Sequence, residues 1–373
     1  MPTEDAYRRL QQHLDRGPAP FPATESGVEL RILKRLFSEE QARIALELSA
    51  IPEPIHIVQR RLPSLSGEEL RRKLGGMAEE GLILATEAGG EIRYAKLAFV
   101  VGIYERQVGR LTPELERDVR TYEEEAFGAA MHALKTPQMR TVPVGKSIPV
   151  ERNVATYEDI RSFAARSEGP FAAMPCICRK GKDLLEEPCQ QTKLRENCLT
   201  FGMAAKAMVE AGPARYISRE EMIEFLEAAD REGLVLQPEN TANPLFVCCC
   251  CGCCCSVLTT AKRLPKPAQY FGTNYYAESN GETCEGCGTC LTRCQMDAVA
   301  MDSGHAKVER DRCIGCGLCV TTCPSTSLRL RRNDREKAPP KDTQALYMQL
   351  MRDRYGPLKM AGALTGYLLG RKF

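Results

Sequence analysis

Apolar residues recur every three to four positions in several segments, the spacing that builds one buried face of a helix. Leu30, Leu33 and Phe37 mark a first helix. Ser38 followed by Gln41 has the capping-box pattern, which predicts a second helix running to Leu48, before Pro52 and Pro54 break it. Leu70, Leu74 and Met77 mark a third, ended by Gly81. The stretch LILATEAGGEIRYAKL then reads as two strands around Gly89 and Gly90. A Glu-rich connecting helix is expected over Leu111 to Ala133, an extended proline-bounded stretch over Arg140 to Pro149, and a helix from Tyr157 that leads to the apolar run Phe171 to Met174. Ser218 with Glu221 opens another helix, with Met222, Phe225, Leu226 and Ala229 as its core stripe and Gly233 as its end. Leu346, Tyr347, Leu350 and Met351 share one side of a last helix. Residues 1–27 hold Pro18, Pro20 and Pro22 without a sustained period and are read as a flexible arm.

Helices followed by a two-stranded wing resemble winged-helix domains over Val28 to Leu97, which implies DNA as a partner to be weighed. The charges disfavour it: Arg71, Arg72 and Lys73 on the presumptive recognition helix are offset by Glu68, Glu69, Glu79 and Glu80, whereas phosphate binding needs a basic face. A protein-docking or structural wing is the preferred reading. Gly145-Lys146-Ser147 suggests a phosphate loop, but Arg140 stands where that motif requires glycine.

Composition sharpens the picture in the cysteines. The 373 residues carry 51 basic and 49 acidic side chains, so no global field favours nucleic acid or an anionic membrane. All 19 cysteines fall between Cys176 and Cys323. An odd number cannot pair completely in disulfides. The polar start MPTEDAYRRL has no secretory pattern, and no apolar run reaches the roughly 20 residues of a membrane span, so a cytoplasmic protein without a transmembrane segment is expected.

Eight cysteines form a repeat. CEGCGTCLTRC supplies Cys284, Cys287, Cys290 and Cys294; CIGCGLCVTTCP supplies Cys313, Cys316, Cys319 and Cys323, each 29 residues after its counterpart. Gly286, Gly288, Gly315 and Gly317 let backbone N–H groups approach a bound cluster. AVAM, a turn at Asp302 to Gly304 and AKVE read as a hairpin between the halves. The duplicated run resembles the bacterial two-cluster 4Fe-4S ferredoxins, in which three thiolates of a run clasp one cubane and the fourth reaches the other. The resemblance implies one cluster on Cys284, Cys287, Cys290 and Cys323, and a second on Cys313, Cys316, Cys319 and Cys294. Gln295 departs from it: Pro324 follows the second run as expected, while no proline follows Cys294. Zinc, which favours four ligands from two separated CxxC knuckles, fits the duplicated run less well.

Eleven cysteines remain: Cys176, Cys178, Cys189, Cys198 and the run VCCCCGCCCS. Neighbouring side chains of an extended run diverge, so only some of it can reach one site, with Gly252 as a bend. Cys176, Cys178, Cys189 and Cys198 are expected as ligands of a further metal site, by themselves or with part of the run, with Cys176 and Cys178 on one side of a strand, Cys198 at a helix start, and Cys248, Cys251 and Cys254 as ligands from the run. Soft thiolates at this density suit one or two further Fe-S clusters or zinc, with free thiols as the remaining alternative. Arg179 and Lys180 are placed to offset cluster charge. The whole arrangement resembles multicluster 4Fe-4S ferredoxin-type proteins of anaerobic bacteria, which implies an electron carrier.

The fold class is therefore α+β: an arm (1–27), a mainly helical winged-helix-like domain with its connecting helix (28–135), a helical Cys-rich domain (136–270), a two-cluster ferredoxin domain (271–332), and a basic linker with a C-terminal helix (333–373). No dinucleotide glycine fingerprint, haem-attachment motif or radical-enzyme C-x3-C-x2-C occurs, and no acid–base constellation emerges, so no catalytic residue is assigned. The preferred function is single-electron relay between a donor and an oxidoreductase partner. The rivals are a redox-sensing DNA-binding regulator and a reductase subunit with its active centre at the Cys248 to Cys255 run.

Overall fold

A computed structural model describes residues 3–147, 158–334, 337–368 and 372. The chain forms two compact units: Met1–Leu134 with Ala207–Ala214 and Tyr347–Phe373, and Lys135–Lys206 with Arg215–Leu346. The second unit holds every cysteine.

In the first unit, helices span Val28–Leu36, Glu39–Ala45 and Gly67–Glu79, and β1 (Glu53–Pro54), which precedes the third of them, joins β2 (Ile83–Ala88) and β3 (Glu91–Lys96) in a three-stranded sheet of order β1-β3-β2. The expected capping box is present, with Ser38 and Gln41 satisfying each other's backbone N–H groups. Gly89 and Gly90 both adopt positive φ at the tip of the β2–β3 hairpin. Leu70, Leu74 and Met77 are buried. The expectation of a flexible arm is corrected: Thr3–Asp15 is a helix, and Ala6, Leu10 and Leu14 are buried at four-residue spacing. Its few apolar residues all lie on one side, so the stripe is real although the segment is polar on average.

The second unit is built on a five-stranded antiparallel sheet, which corrects the expectation of a helical Cys-rich domain. Its strands are β4 (Phe171–Pro175), β5 (Glu196–Phe201), β6 (Arg215–Ile217), β7 (Val235–Pro238) and β8 (Phe246–Cys250), in the order β6-β4-β5-β8-β7. Helices Ile160–Arg166 and Arg219–Arg231 belong to the same unit, the second with Ser218 as N-cap and Met222, Leu226 and Ala229 in the core. The sheet was hidden because its strands are short apolar runs that periodicity cannot tell from buried helix, and because cysteine packs as a small hydrophobe. Cys198 lies within β5 and not at a helix start. Cys176 is the N-cap of helix Ile177–Leu184 and Cys178 lies inside it, so neither sits on a strand.

The same unit contains the cysteine repeat. Strand β9 (Tyr275–Ser279) pairs with β12 (Leu328–Arg332), and β10 (Val299–Asp302) pairs with β11 (His305–Val308) as the hairpin expected between the halves. Each ribbon joins a strand that precedes one cysteine run to a strand that follows the other run, so the duplicated halves interlock. Helix Thr343–Leu368 closes the chain, kinked at Gly356. Among the described residues no helix is long and apolar enough to cross a membrane.

Candidate metal centres

The two cysteine runs fold as a pair related by their 29-residue repeat. Gly286, Gly288, Gly315 and Gly317 all have positive φ. At Gly286 a Cβ would lie 2.5 Å from the Gly304 carbonyl oxygen, and at Gly315 2.2 Å from that of Tyr275, so only glycine permits these approaches. The backbone N–H of Ala306 donates to Cys284 Sγ at 3.3 Å, and that of Ala277 donates to Cys313 Sγ at 3.3 Å. Ala298 N–H donates to Cys294 Sγ at 3.2 Å. The Ser327 hydroxyl lies 3.3 Å from Cys323 Sγ. Donors aimed at sulfur stabilise thiolate and favour a bound anionic cluster.

The surroundings of each thiol separate the eight into two groups. Cys290 feels the charges of Cys284, Cys287 and Cys323, whereas Cys316 feels those of Cys294 and Cys313. Cys294, Cys313, Cys316 and Cys319 line one apolar cavity together with Ile314 and Leu318. Burial pushes the Cys316 thiol up to about 12, a cost that binding to iron would remove. Against the burial that raises it, Ser327, Leu328 and Ser325 bring the Cys323 thiol down to about 7. Cys319 of one group feels Cys290 of the other, so the groups adjoin there. Cys287 is exposed, while Cys290 and Cys319 are buried.

The central cysteines divide differently from expectation. Cys189, Cys251, Cys253 and Cys254 bring their sulfurs within 4.8 Å of one another. Cys189 Sγ lies 3.7 Å from both Cys251 Sγ and Cys253 Sγ, and Cys253 Sγ lies 3.6 Å from Cys254 Sγ. Cys189, Cys251 and Cys254 were expected among the ligands; Cys253 was not. Gly252 turns the chain between Cys251 and Cys253, and this C-G-C-C turn is the signal that marks Cys253 as able to fold back beside its neighbours. Hydrogen bonds from Cys251, Cys253 and Cys254 hold the Cys189 thiol far below its ordinary value.

Cys248 is not in this group. On β8 it pairs with Cys198 of β5 and with Gln237 of β7, and side chains two apart share a face, so Cys248 and Cys250 look the same way. Cys248 hydrogen-bonds with Cys198 and Cys250, and Cys250 with Cys255. These thiols form a row rather than one compact group. Cys178 Sγ lies 3.7 Å from the Ser256 hydroxyl, apart from the four-cysteine group. Cys176 instead faces Arg179, as do Cys251 and Cys189.

Arg179 is 1% exposed, and its Nη2 donates to the Cys249 carbonyl at 2.9 Å. Its Nε and Nη1 are buried without a close nitrogen or oxygen partner, and the side chain hydrogen-bonds with the Cys251 thiol. Cys176 and Cys251 raise its pKa against the effect of burial. A buried guanidinium without a carboxylate requires other negative charge close by, and thiolates are what surround it.

A family model described as a 4Fe-4S dicluster domain matches residues 277–330. This segment contains all eight cysteines of the repeat. The chain is an iron-sulfur protein, and electron transfer in general is the function this domain supports. No curated protein and no solved structure matches the chain.

Proposed function

We propose that the chain relays single electrons between a donor and an oxidoreductase partner through two 4Fe-4S clusters, one on Cys284, Cys287, Cys290 and Cys323 and one on Cys313, Cys316, Cys319 and Cys294. The observation that carries this reading is the crossing of the fourth cysteines: Cys323 lies in the field of Cys284 and Cys290, and Cys294 in that of Cys313, Cys316 and Cys319. When bound, such clusters supply reversible one-electron steps. The chain's own residues hold the thiolates, aim N–H groups at them and exclude water from the inner group. Cys290 and Cys319 adjoin across the two groups, which suits exchange between centres. Exposed Cys287 marks the edge where a partner would dock.

In this reading the chain acts as an electron carrier, alone or as a subunit of an oxidoreductase, and no catalytic residue is assigned to it. The DNA-binding alternative gains nothing on the helix Gly67–Glu79, where Lys73 is bound to Glu40 at 2.7 Å and Glu69 at 3.5 Å. Helices and a three-stranded sheet support a winged-helix fold used for docking. The test is anaerobic reductive titration followed by electron paramagnetic resonance. Two interacting reduced 4Fe-4S signals, re-oxidised by an added acceptor protein, are expected; absence of any reducible cluster would overturn the reading.

A further inference from the structure

We infer that Cys189, Cys251, Cys253 and Cys254 form a mononuclear tetrathiolate centre, binding one thiophilic metal ion of the zinc class and no Fe-S cluster. This goes beyond the electron relay and does not rest on it. A tetrahedral ion with metal–sulfur bonds of about 2.3 Å sets its sulfurs about 3.8 Å apart. The three shortest separations here are 3.6, 3.7 and 3.7 Å. A cubane assigns each thiolate its own iron at a separate corner and cannot gather four sulfurs into mutual contact. The eight cysteines of the repeat make no such compact group.

Burial and charge agree. Cys251 and Cys254 are each 1% exposed. Four thiols that bind a divalent ion release four protons and leave a net charge of −2 on the centre. Arg179, buried and hydrogen-bonded to Cys251, with Cys189 in its field, supplies compensating positive charge. A carboxylate would normally fill that role, and an anionic metal centre is what replaces it.

Four ligands close the coordination sphere and leave no open position, which is the signature of a structural site. Cys189 lies in the loop between helix Ile177–Leu184 and β5, and the other three follow β8. The ion would therefore pin that loop to the end of β8, where Gln295 of the ferredoxin segment also reaches. Zinc and iron share this thiolate chemistry, and the experiment separates them.

Full-length protein is purified anaerobically, and iron, zinc and acid-labile sulfide are counted per chain. Beyond the irons matched by sulfide, about one further ion is expected, with an X-ray absorption spectrum of four sulfurs at about 2.3 Å. The absorption edge tells zinc from iron, and either supports the centre. Cys253→Ser and Cys189→Ser should each lose that ion, while Cys250→Ser keeps it and all three retain the iron matched by sulfide. If the serine variants fail to fold, the wild-type absorption spectrum decides alone. About twelve irons with matching sulfide and no mononuclear ion, no such ion even after zinc is supplied, or an ion kept by both serine variants would overturn the inference. Loss of the ferredoxin clusters alone would sink the electron relay and leave this centre standing.

Discussion

The side chain of Gln295 accepts the backbone N–H of Gly252 through Oε1 at 2.7 Å. Gln295 follows Cys294, whose sulfur belongs to the inner ferredoxin group, and Gly252 stands between Cys251 and Cys253. The same amide donates from Nε2 to Gln191 Oε1 at 3.0 Å, two residues after Cys189. One 5% exposed side chain thus joins the ferredoxin run to both segments of the four-cysteine group. The departure from proline after Cys294 has a physical reason: proline has no amide to make this bridge.

Gln295→Pro should therefore weaken the four-cysteine group while sparing the ferredoxin clusters. Leaving the half-buried Gly252 N–H without its partner costs up to about 1–3 kcal/mol, less where water reaches it. Thermal unfolding should shift downward and the mononuclear ion should exchange faster with a chelator, at unchanged acid-labile sulfide. Equal loss of sulfide would show that the bridge serves the clusters instead.

Gly252→Ala should be worse tolerated than the exposed-loop substitution Gly281→Ala. A Cβ at position 252 would lie 2.2 Å from the Gln295 carbonyl oxygen, which must move and drag Cys294 with it, whereas none lies within 4 Å at Gly281. The expected result is reduced soluble yield and less iron per chain, measured side by side for the two variants.

On the proposed ligand sets, Cys287→Ser removes a ligand from the outer ferredoxin group only. Iron matched by sulfide should fall from about eight to about four per chain, and the interacting pair of reduced signals should collapse to one isolated signal. The mononuclear ion should remain. Simultaneous loss of both clusters would mean that the outer one is required to hold the inner one together.

Much of this could be read from the residues, and the division is instructive. The repeat was legible because its glycines and three of the four cysteines in each run lie within a few residues, so local spacing marks the dicluster segment that the family model matches. The capping box at Ser38 and the hairpin at Gly89 were legible for the same reason. Cys189 and Cys251 are far apart in sequence and meet only through the pairing of β5 with β8, which no local pattern records. Cys198 and Cys248 were assigned without knowing that they face each other across that pairing. Cys253 was missed because the turn at Gly252, and not strand alternation, decides where it points.

Arg179→Met should lower the affinity of the four-cysteine centre, because a guanidinium that offsets its charge is replaced by an apolar chain of similar length. The loss expected for an outer-shell partner is roughly 10–100-fold. Competition with a chromophoric chelator measures it. Arg179→Lys should recover part of the affinity, since the charge returns without the bond to the Cys249 carbonyl.

In the first unit, acid should act through His13. Its Nε2 lies 2.8 Å from the Leu48 carbonyl oxygen, and burial, then Lys96, with Lys372 and Arg16 behind it, hold its pKa down to about 3 from 6.5. The unfolded chain binds the proton first as pH falls, so stability conferred by the neutral imidazole is full above pH 6.5 and is lost progressively toward pH 3. Between pH 6.5 and pH 5 the loss is at most about 2 kcal/mol. His13→Gln, which keeps a donor for Leu48, should flatten the fall in unfolding temperature over that interval; an unchanged slope would place the acid sensitivity elsewhere.

The crossing of Cys294 and Cys323 also has a consequence for biosynthesis. The first run reaches the end of the ribosome with three sulfurs of its group, and the fourth is encoded close to the end of the second run. With the proposed crossing, the earlier pocket would lack a ligand until Cys323 has been translated, and the later pocket would depend on a cysteine made before it. On the proposed ligand sets neither half would be charged with iron as a separate module, and a nascent chain arrested between the runs would offer the assembly machinery only an incomplete acceptor. Maturation of the pair is thereby tied to a single late moment in synthesis.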